Sequence, residues 1–161
     1  EISACLVGSE MCIRDSLLTL FHVSGGLHKP ANANWEDPHY CSSMVSLTLP
    51  MVGYAWIDLS PAFYFANLGY DVYVANNRGT KYSRNHKTIH PDNKEFWQYS
   101  FVDLAKDDKA NIEFIRQHTG HSKVGYIGHS QGTSQMFAGL SIEPDWFAER
   151  VSVFAALGPV A

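Results

Sequence analysis

Tyr126-Ile127-Gly128-His129-Ser130-Gln131-Gly132 is the stretch whose reading decides the fold. Ahead of it, Lys123 to Ile127 is a short run with β-branched and aromatic content. Behind it, Thr133 to Ile142 carries the apolar spacing of a helix. Gly-x-Ser-x-Gly between a strand and a helix is the setting of a nucleophile elbow, a turn sharp enough to lift a serine hydroxyl clear of the sheet. Gly128 and Gly132 leave room where backbones crowd, with His129 between the first glycine and Ser130. The helix that follows aims its amide groups and positive end at the place where an oxyanion would form. Gly-x-Ser-x-Gly also arises by chance in ordinary strand–turn–helix connections, so the flanking elements carry the argument.

Upstream of the elbow, Phe101 to His118 has Phe101, Leu104, Ala105, Ile112 and Ile115 near helical spacing. Asp103, Asp107 and Asp108 lie towards its start and Arg116 towards its end, as the helix dipole prefers. Thr119-Gly120 stops it. Ser60 as N-cap, Pro61 at the first helical position and Gly69 beyond the last turn frame a helix through Asn67. Tyr70 to Ala75 then reads as a buried strand running into the turn Asn76-Asn77-Arg78-Gly79. Downstream, Pro144 breaks the chain and Val151 to Leu157 is another apolar strand. Near the start, Leu17 to Val23 reads as a buried strand ending in Ser24-Gly25-Gly26-Leu27. Strands alternating with helices, each apolar on both faces, predict a mostly parallel sheet covered on both sides. In such sheets a ligand sits at the carboxyl ends of the strands, where Ser24–Leu27, Asn76–Gly79 and Ser130 are expected to meet.

Residues 28 to 59 are the least legible: Pro30, Asn32, Asn34, Asp37 and Pro38 mark loop, and an insertion or a reading error fits as well as native sequence. Val45 to Val52 fits an edge strand, Pro50 arguing against a central one. Glu1 to Ser16 reads as neither helix nor strand. The run from Cys5 to Ser16 resembles translated adapter sequence, so residues 1–16 are set aside as artefactual or disordered, leaving 17–161 as a partial domain.

The chain of 161 residues, 45% hydrophobic, is long enough for a real core. A net charge of −4 gives no reason to expect nucleic acid as a partner. No apolar run approaches the ~18 residues of a transmembrane helix. Glu1-Ile2-Ser3 has neither the basic nor the apolar region of a signal peptide and lacks an initiator Met, so the true beginning is expected to be missing. Cys5, Cys12 and Cys41 match no zinc spacing, and no metal is expected.

Phe65 to Ala161 resembles the acid lipase family of α/β-hydrolases, which includes gastric and lysosomal acid lipases and steryl ester hydrolases. The matching residues are Leu68 to Val72, Asn76 to Arg84, His86-Lys87-Thr88, Lys94 to Phe101, Tyr126 to Thr133 and Ala155 to Ala161. The resemblance implies an α/β-hydrolase fold, of which this chain holds the N-terminal part. It implies hydrolysis of triacylglycerols or sterol esters at a lipid–water interface, without a cofactor, by a secreted, lysosomal or lipid-associated protein. Ser130 would be the catalytic nucleophile. Gln131 would offer one oxyanion N–H and Leu27 the other, from the glycine-bearing loop where the family usually has His-Gly-Leu-Leu. The family's acid, histidine and lid come after the Gly158-Pro159-Val160-Ala161 segment, so the fragment alone is expected to be inactive.

His129 lies beside the nucleophile, His118 and His121 follow the long helix, and His86 and His90 sit in a polar loop. None fits the role of base. Arg78 and Lys81 are either ligand contacts or residues that hold neighbouring loops. Glu95-Phe96-Trp97 and Tyr99 form an aromatic stripe, read as packing or as a patch through which lipid approaches. A non-catalytic module binding lipid or a partner on the same scaffold stays open beside the hydrolase.

Overall fold

Every residue of the strand Val72–Asn76 is buried, and their alternation explains how helices come to cover both faces of the sheet. Val72 and Val74 pack with Ala62 and Ala66 on one side. Tyr73 and Ala75 pack on the other with Ile112, Ile115, Val124, Tyr126, Met136 and Phe147. The computed structural model describes residues 8–13, 16–23, 42–47, 61–68, 70–80 and 82–160. Their elements are β1 (Gly8–Ile13), β2 (Ser16–Val23), β3 (Ser42–Leu47), α1 (Pro61–Asn67), β4 (Val72–Asn76), a 3-10 turn (Lys94–Trp97), α2 (Phe101–Thr119), β5 (Val124–His129), α3 (Gln131–Ile142), α4 (Pro144–Arg150) and β6 (Val151–Leu157).

The strands form one sheet in the order β1-β2-β4-β3-β5-β6. β4, β3, β5 and β6 run parallel, as the alternation of strands and helices predicts. β2 is antiparallel to both β1 and β4. The shared direction brings the carboxyl ends of β3, β5 and β6 into line, with Leu47 opposite His129 and His129 opposite Leu157.

The structure differs from the sequence reading in three elements. Gly8–Ile13 is a strand, where residues 1–16 read as neither helix nor strand. Its register brings Ile13 opposite Ser16, antiparallel to β2, a pairing that the intervening Arg14-Asp15 does not announce, since it lacks the Asn-Gly or Asp-Gly signal. Ser42–Leu47 lies centrally between β4 and β5 instead of at an edge, and Pro50 falls beyond its last residue. Pro144 starts α4 as well as ending what precedes it, because the first position of a helix has no use for the missing N–H.

α2 is fixed at both ends. The N–H and Oγ of Ser100 both donate to Asp103 Oδ2, at 3.1 and 3.0 Å, half of a capping box. At the other end Gly120 takes φ 76° and its N–H caps Arg116 O at 2.9 Å. The backbone hydrogen bond from Ser100, with Lys106 adding to it, lowers the Asp103 pKa to about 2. A carboxyl depressed in the folded state stabilises above its unfolded value and loses that contribution as pH falls through its folded value. Asp103→Asn in the full-length protein is therefore expected to cost up to about 1 kcal/mol at neutral pH, the difference from wild type closing as pH drops towards 2. Denaturant unfolding across that range checks it, and a gap that stays constant contradicts it.

Candidate active site

β5 ends at His129, and the chain turns at Ser130 directly into α3. Ser130 has φ 51° and ψ −116° and is the one non-glycine residue at positive φ among the described residues. An L-residue in that conformation costs on the order of 1–3 kcal/mol and persists only where its surroundings impose it. Here they do. Ser130 N–H donates to Leu157 O at 3.0 Å, tying the turn to the end of β6. Ser130 O accepts from the Thr133 N–H at 2.9 Å and from Thr133 Oγ1 at 2.6 Å. Val160 N–H donates to Thr133 Oγ1 at 3.0 Å, and Ser134 Oγ to Val160 O at 2.6 Å. A Cβ on Gly128 would lie 2.7 Å from Gly132 O, so strand and helix can approach this closely only with glycine there. Gly128 and Gly132 are buried, His129 and Ser130 partly exposed, and Gln131 exposed.

Beneath the turn lies a buried polar cluster that the sequence reading missed. Tyr126 Oη stands 3.0 Å from Gly132 O and 3.1 Å from Asp108 Oδ2. Gln135 Nε2 donates to Asp108 Oδ1 at 2.7 Å and to Tyr126 Oη at 3.1 Å, while Asn77 Nδ2 donates to Gln135 Oε1 at 2.6 Å. Asp108, Tyr126 and Gln135 have no exposed surface. Burial pushes the Asp108 carboxyl well above the usual carboxylate range, against the opposing hydrogen bond from Tyr126. The sequence places Asp107 and Asp108 among acids serving the helix dipole; both are instead fully buried, and Asp103 serves the helix start. The signal was available: Asp108 and Asn111 share the spacing of Leu104, Ile112 and Ile115, the face that must turn inward.

The turn after β4 is held by an ion pair. Arg78 Nε contacts both Asp107 oxygens, at 3.1 and 2.9 Å, a second guanidinium nitrogen closes on Oδ1, and the Arg78 N–H also reaches Oδ2. Burial raises the Asp107 pKa, with the Arg78 hydrogen bonds and charge opposing the rise. Gly79, at φ 83°, lies under Tyr99 and Trp97, which a Cβ would strike. This geometry selects the structural role for Arg78; Lys81 lies outside the described residues. Phe96 is buried and Trp97 Nε1 donates to Pro91 O at 2.7 Å, so the aromatic stripe packs the polar segment onto the turn. A cleft of ≈ 200 Å³ lined by Asn77, Arg78, Thr80, Tyr99, Leu104 and Gln131 opens beside the residue that follows Ser130.

Several histidines are engaged elsewhere. His86 Nδ1 accepts from the N–H groups of Thr88 and Ile89, at 3.2 and 3.0 Å. His90 pairs with Asp92, and His118 stacks on Phe114 with ring centroids 5.7 Å apart. Leu27, the expected source of the other oxyanion N–H, lies outside the described residues. β2 runs antiparallel to β4 and ends with Val23 opposite Val72, at the amino end of β4, away from Ser130. The strand that ends beside the elbow is β3. Among the described residues no group of three or more His, Cys, Asp or Glu could hold a metal ion, and no helix is long and apolar enough to cross a membrane.

Residues 48–160 match the model of the alpha/beta hydrolase fold family. The chain belongs to that family. This α/β-hydrolase is 47% identical over 111 residues to gastric triacylglycerol lipase of Rattus norvegicus, covering 66% of this chain and 28% of that protein. It is 46% identical over 103 residues to human lysosomal acid lipase/cholesteryl ester hydrolase, covering 63% of this chain and 26% of the relative. It thus spans about a quarter of the length of these relatives. A solved epoxide hydrolase mutant of Vigna radiata superposes with a TM-score of 0.60 at 14% identity, covering 94% of this chain and 38% of the other, which speaks for the fold alone. The resemblance to acid lipases is therefore met, and the hydrolase fold with it.

Removing one partner of a buried ion pair strands the other charge. Arg78→Met is expected to cost about 3–5 kcal/mol, and Arg78→Met/Asp107→Leu to recover most of it. Denaturant unfolding of the full-length variants reads both. A single variant with unaltered stability would instead assign Arg78 to ligand contact.

Proposed function

We propose that the full-length protein is a serine lipase hydrolysing neutral lipid esters, triacylglycerol or sterol ester, through an acyl-enzyme on Ser130. The observation that carries this reading is the strained backbone of Ser130, φ 51°, at a strand–helix junction held by hydrogen bonds to Leu157 and Thr133. A fold does not keep a non-glycine residue there without use for it. The names of the relatives, gastric triacylglycerol lipase and lysosomal acid lipase/cholesteryl ester hydrolase, support the substrate class.

In this mechanism a histidine takes the Ser130 proton as Oγ attacks the ester carbonyl. The Gln131 N–H sits in the first turn of α3, where backbone donors lack intrahelical acceptors, and receives the oxyanion together with the positive end of the helix. The second donor is the Leu27 N–H that the resemblance to acid lipases implies, from sequence outside the described residues. Losing one such donor costs about 3 kcal/mol of barrier. The tetrahedral intermediate expels the alcohol, which takes the proton from the histidine. Water then releases the fatty acid. Histidine and acid are supplied by sequence outside the described residues, as the resemblance to acid lipases implies.

A fluorophosphonate probe tests the nucleophile on the full-length protein. Covalent label at Ser130, lost in Ser130→Ala together with p-nitrophenyl ester hydrolysis, is the expected result. A folded protein that takes no label is instead a non-catalytic lipid- or partner-binding module.

A further inference from the structure

The buried cluster beneath the elbow poses a problem in counting hydrogens. Tyr126 Oη carries one hydrogen yet lies at hydrogen-bonding distance from two acceptor oxygens, Gly132 O at 3.0 Å and Asp108 Oδ2 at 3.1 Å. Were Asp108 ionised, Tyr126 could donate to only one of them and would face the other lone pair to lone pair. Gln135 cannot relieve this. Its Nε2 donates at closest range to Asp108 Oδ1 and Tyr126 Oη, with Asn77 Oδ1 a more distant acceptor at 3.5 Å, and its Oε1 is taken by Asn77 Nδ2. Within the hydrogen bonds that join these residues, the group able to supply the missing hydrogen is the Asp108 carboxyl.

We propose that Asp108 is carried as the neutral acid, so that Asp108 Oδ2–H donates to Tyr126 Oη, whose own hydrogen goes to Gly132 C=O. This relay pins the first turn of α3 beneath Ser130 and makes Asp108 and Tyr126 positioning residues for the nucleophile. Gly132 is the residue whose carbonyl would meet a Cβ on Gly128, so the relay acts on the carbonyl that sets the spacing of strand and helix. The surroundings favour the neutral form. Among the described residues no cation faces Asp108: Tyr126 approaches from β5, the amide of Gln135 from α3 and Asn77 lies beyond it, while the Arg78 guanidinium is spent on Asp107. Among the described residues Asp107 is the one charged neighbour acting on Asp108, and its negative charge opposes a second. The positioning half of the proposal rests on Ser130 being the nucleophile; the protonation half does not.

The test is thermal unfolding of full-length wild type and Asp108→Asn from about pH 4 to about pH 8. An acid that keeps its proton only when folded makes folding take up a proton, so its stability falls as pH rises above the unfolded value. Asn reproduces both hydrogen bonds and has no proton to lose. Asp108→Asn should match wild type at the acid end and gain on it steadily with rising pH. A constant gap, or one that opens the other way, overturns the proposal. Should the variant fail to fold, the infrared band of a protonated carboxyl in wild type at neutral pH decides; its absence overturns the proposal too. For positioning, Tyr126→Phe keeps the ring and deletes the relay, and its Ser130 should react with a fluorophosphonate roughly tenfold more slowly than wild type. An unchanged rate removes the positioning role. Wild type that takes no label removes the nucleophile and that role together, while the pH comparison still decides the proton.

Discussion

One backbone torsion sets the terms for this structure. Ser130 sits at φ 51°, and an L-residue there relaxes unless its neighbours hold it. The restraint is distributed. β6 supplies Leu157 O to the Ser130 N–H, α3 supplies Thr133 to the Ser130 carbonyl, and the segment after β6 supplies Val160 to Thr133. Strand, helix and following loop thus close a ring of hydrogen bonds around one residue. Strain held by several elements cannot be relieved by moving any single one.

The support beneath that ring is polar, which is costly in a core. Asn77, Asp107, Asp108, Thr133 and Gln135 are all at or near zero exposure. Desolvating such groups is tolerable only when each finds partners. Asp107 finds Arg78, and Asp108, Tyr126, Gln135 and Asn77 find one another. Asn111, one turn further along α2, finds none for its amide, at a cost of about 1–3 kcal/mol. An apolar core would be more stable, but dispersion does not set direction. Directional bonds fix where α3 begins relative to β5, and that relation aims Ser130.

Sequence made most of this legible where signals are local. Helix starts and stops at Pro61, Gly120 and Gln131, and the strands before and after the elbow, follow from capping residues and apolar periods. Ser130 and its glycines stand out because a sharp turn admits few residue types. What did not show was set by tertiary partners. Asp107 and Asp108 looked like surface acids because nothing in the linear sequence says that Arg78 and Tyr126 arrive from other strands. Pro50 near the end of β3 suggested an edge, whereas the strand stops at Leu47 before the proline matters. β2 looked like another parallel strand, since apolar content carries no information about direction.

Direction is what distributes roles in this sheet. Because β3, β4, β5 and β6 share it, the chain leaves each strand at the same end, after Leu47, Asn76, His129 and Leu157. Asn77, after β4, and Val160, after β6, both reach the residues around the elbow. Two of the four exits are already committed to holding it, through Asn77 beneath α3 and through the residues after Leu157 around Thr133. The third is Ser130 itself. The fourth, the end of β3, adjoins β5 directly, Leu47 opposite His129. β2 runs the other way, with Val23 opposite Val72 at the amino end of β4.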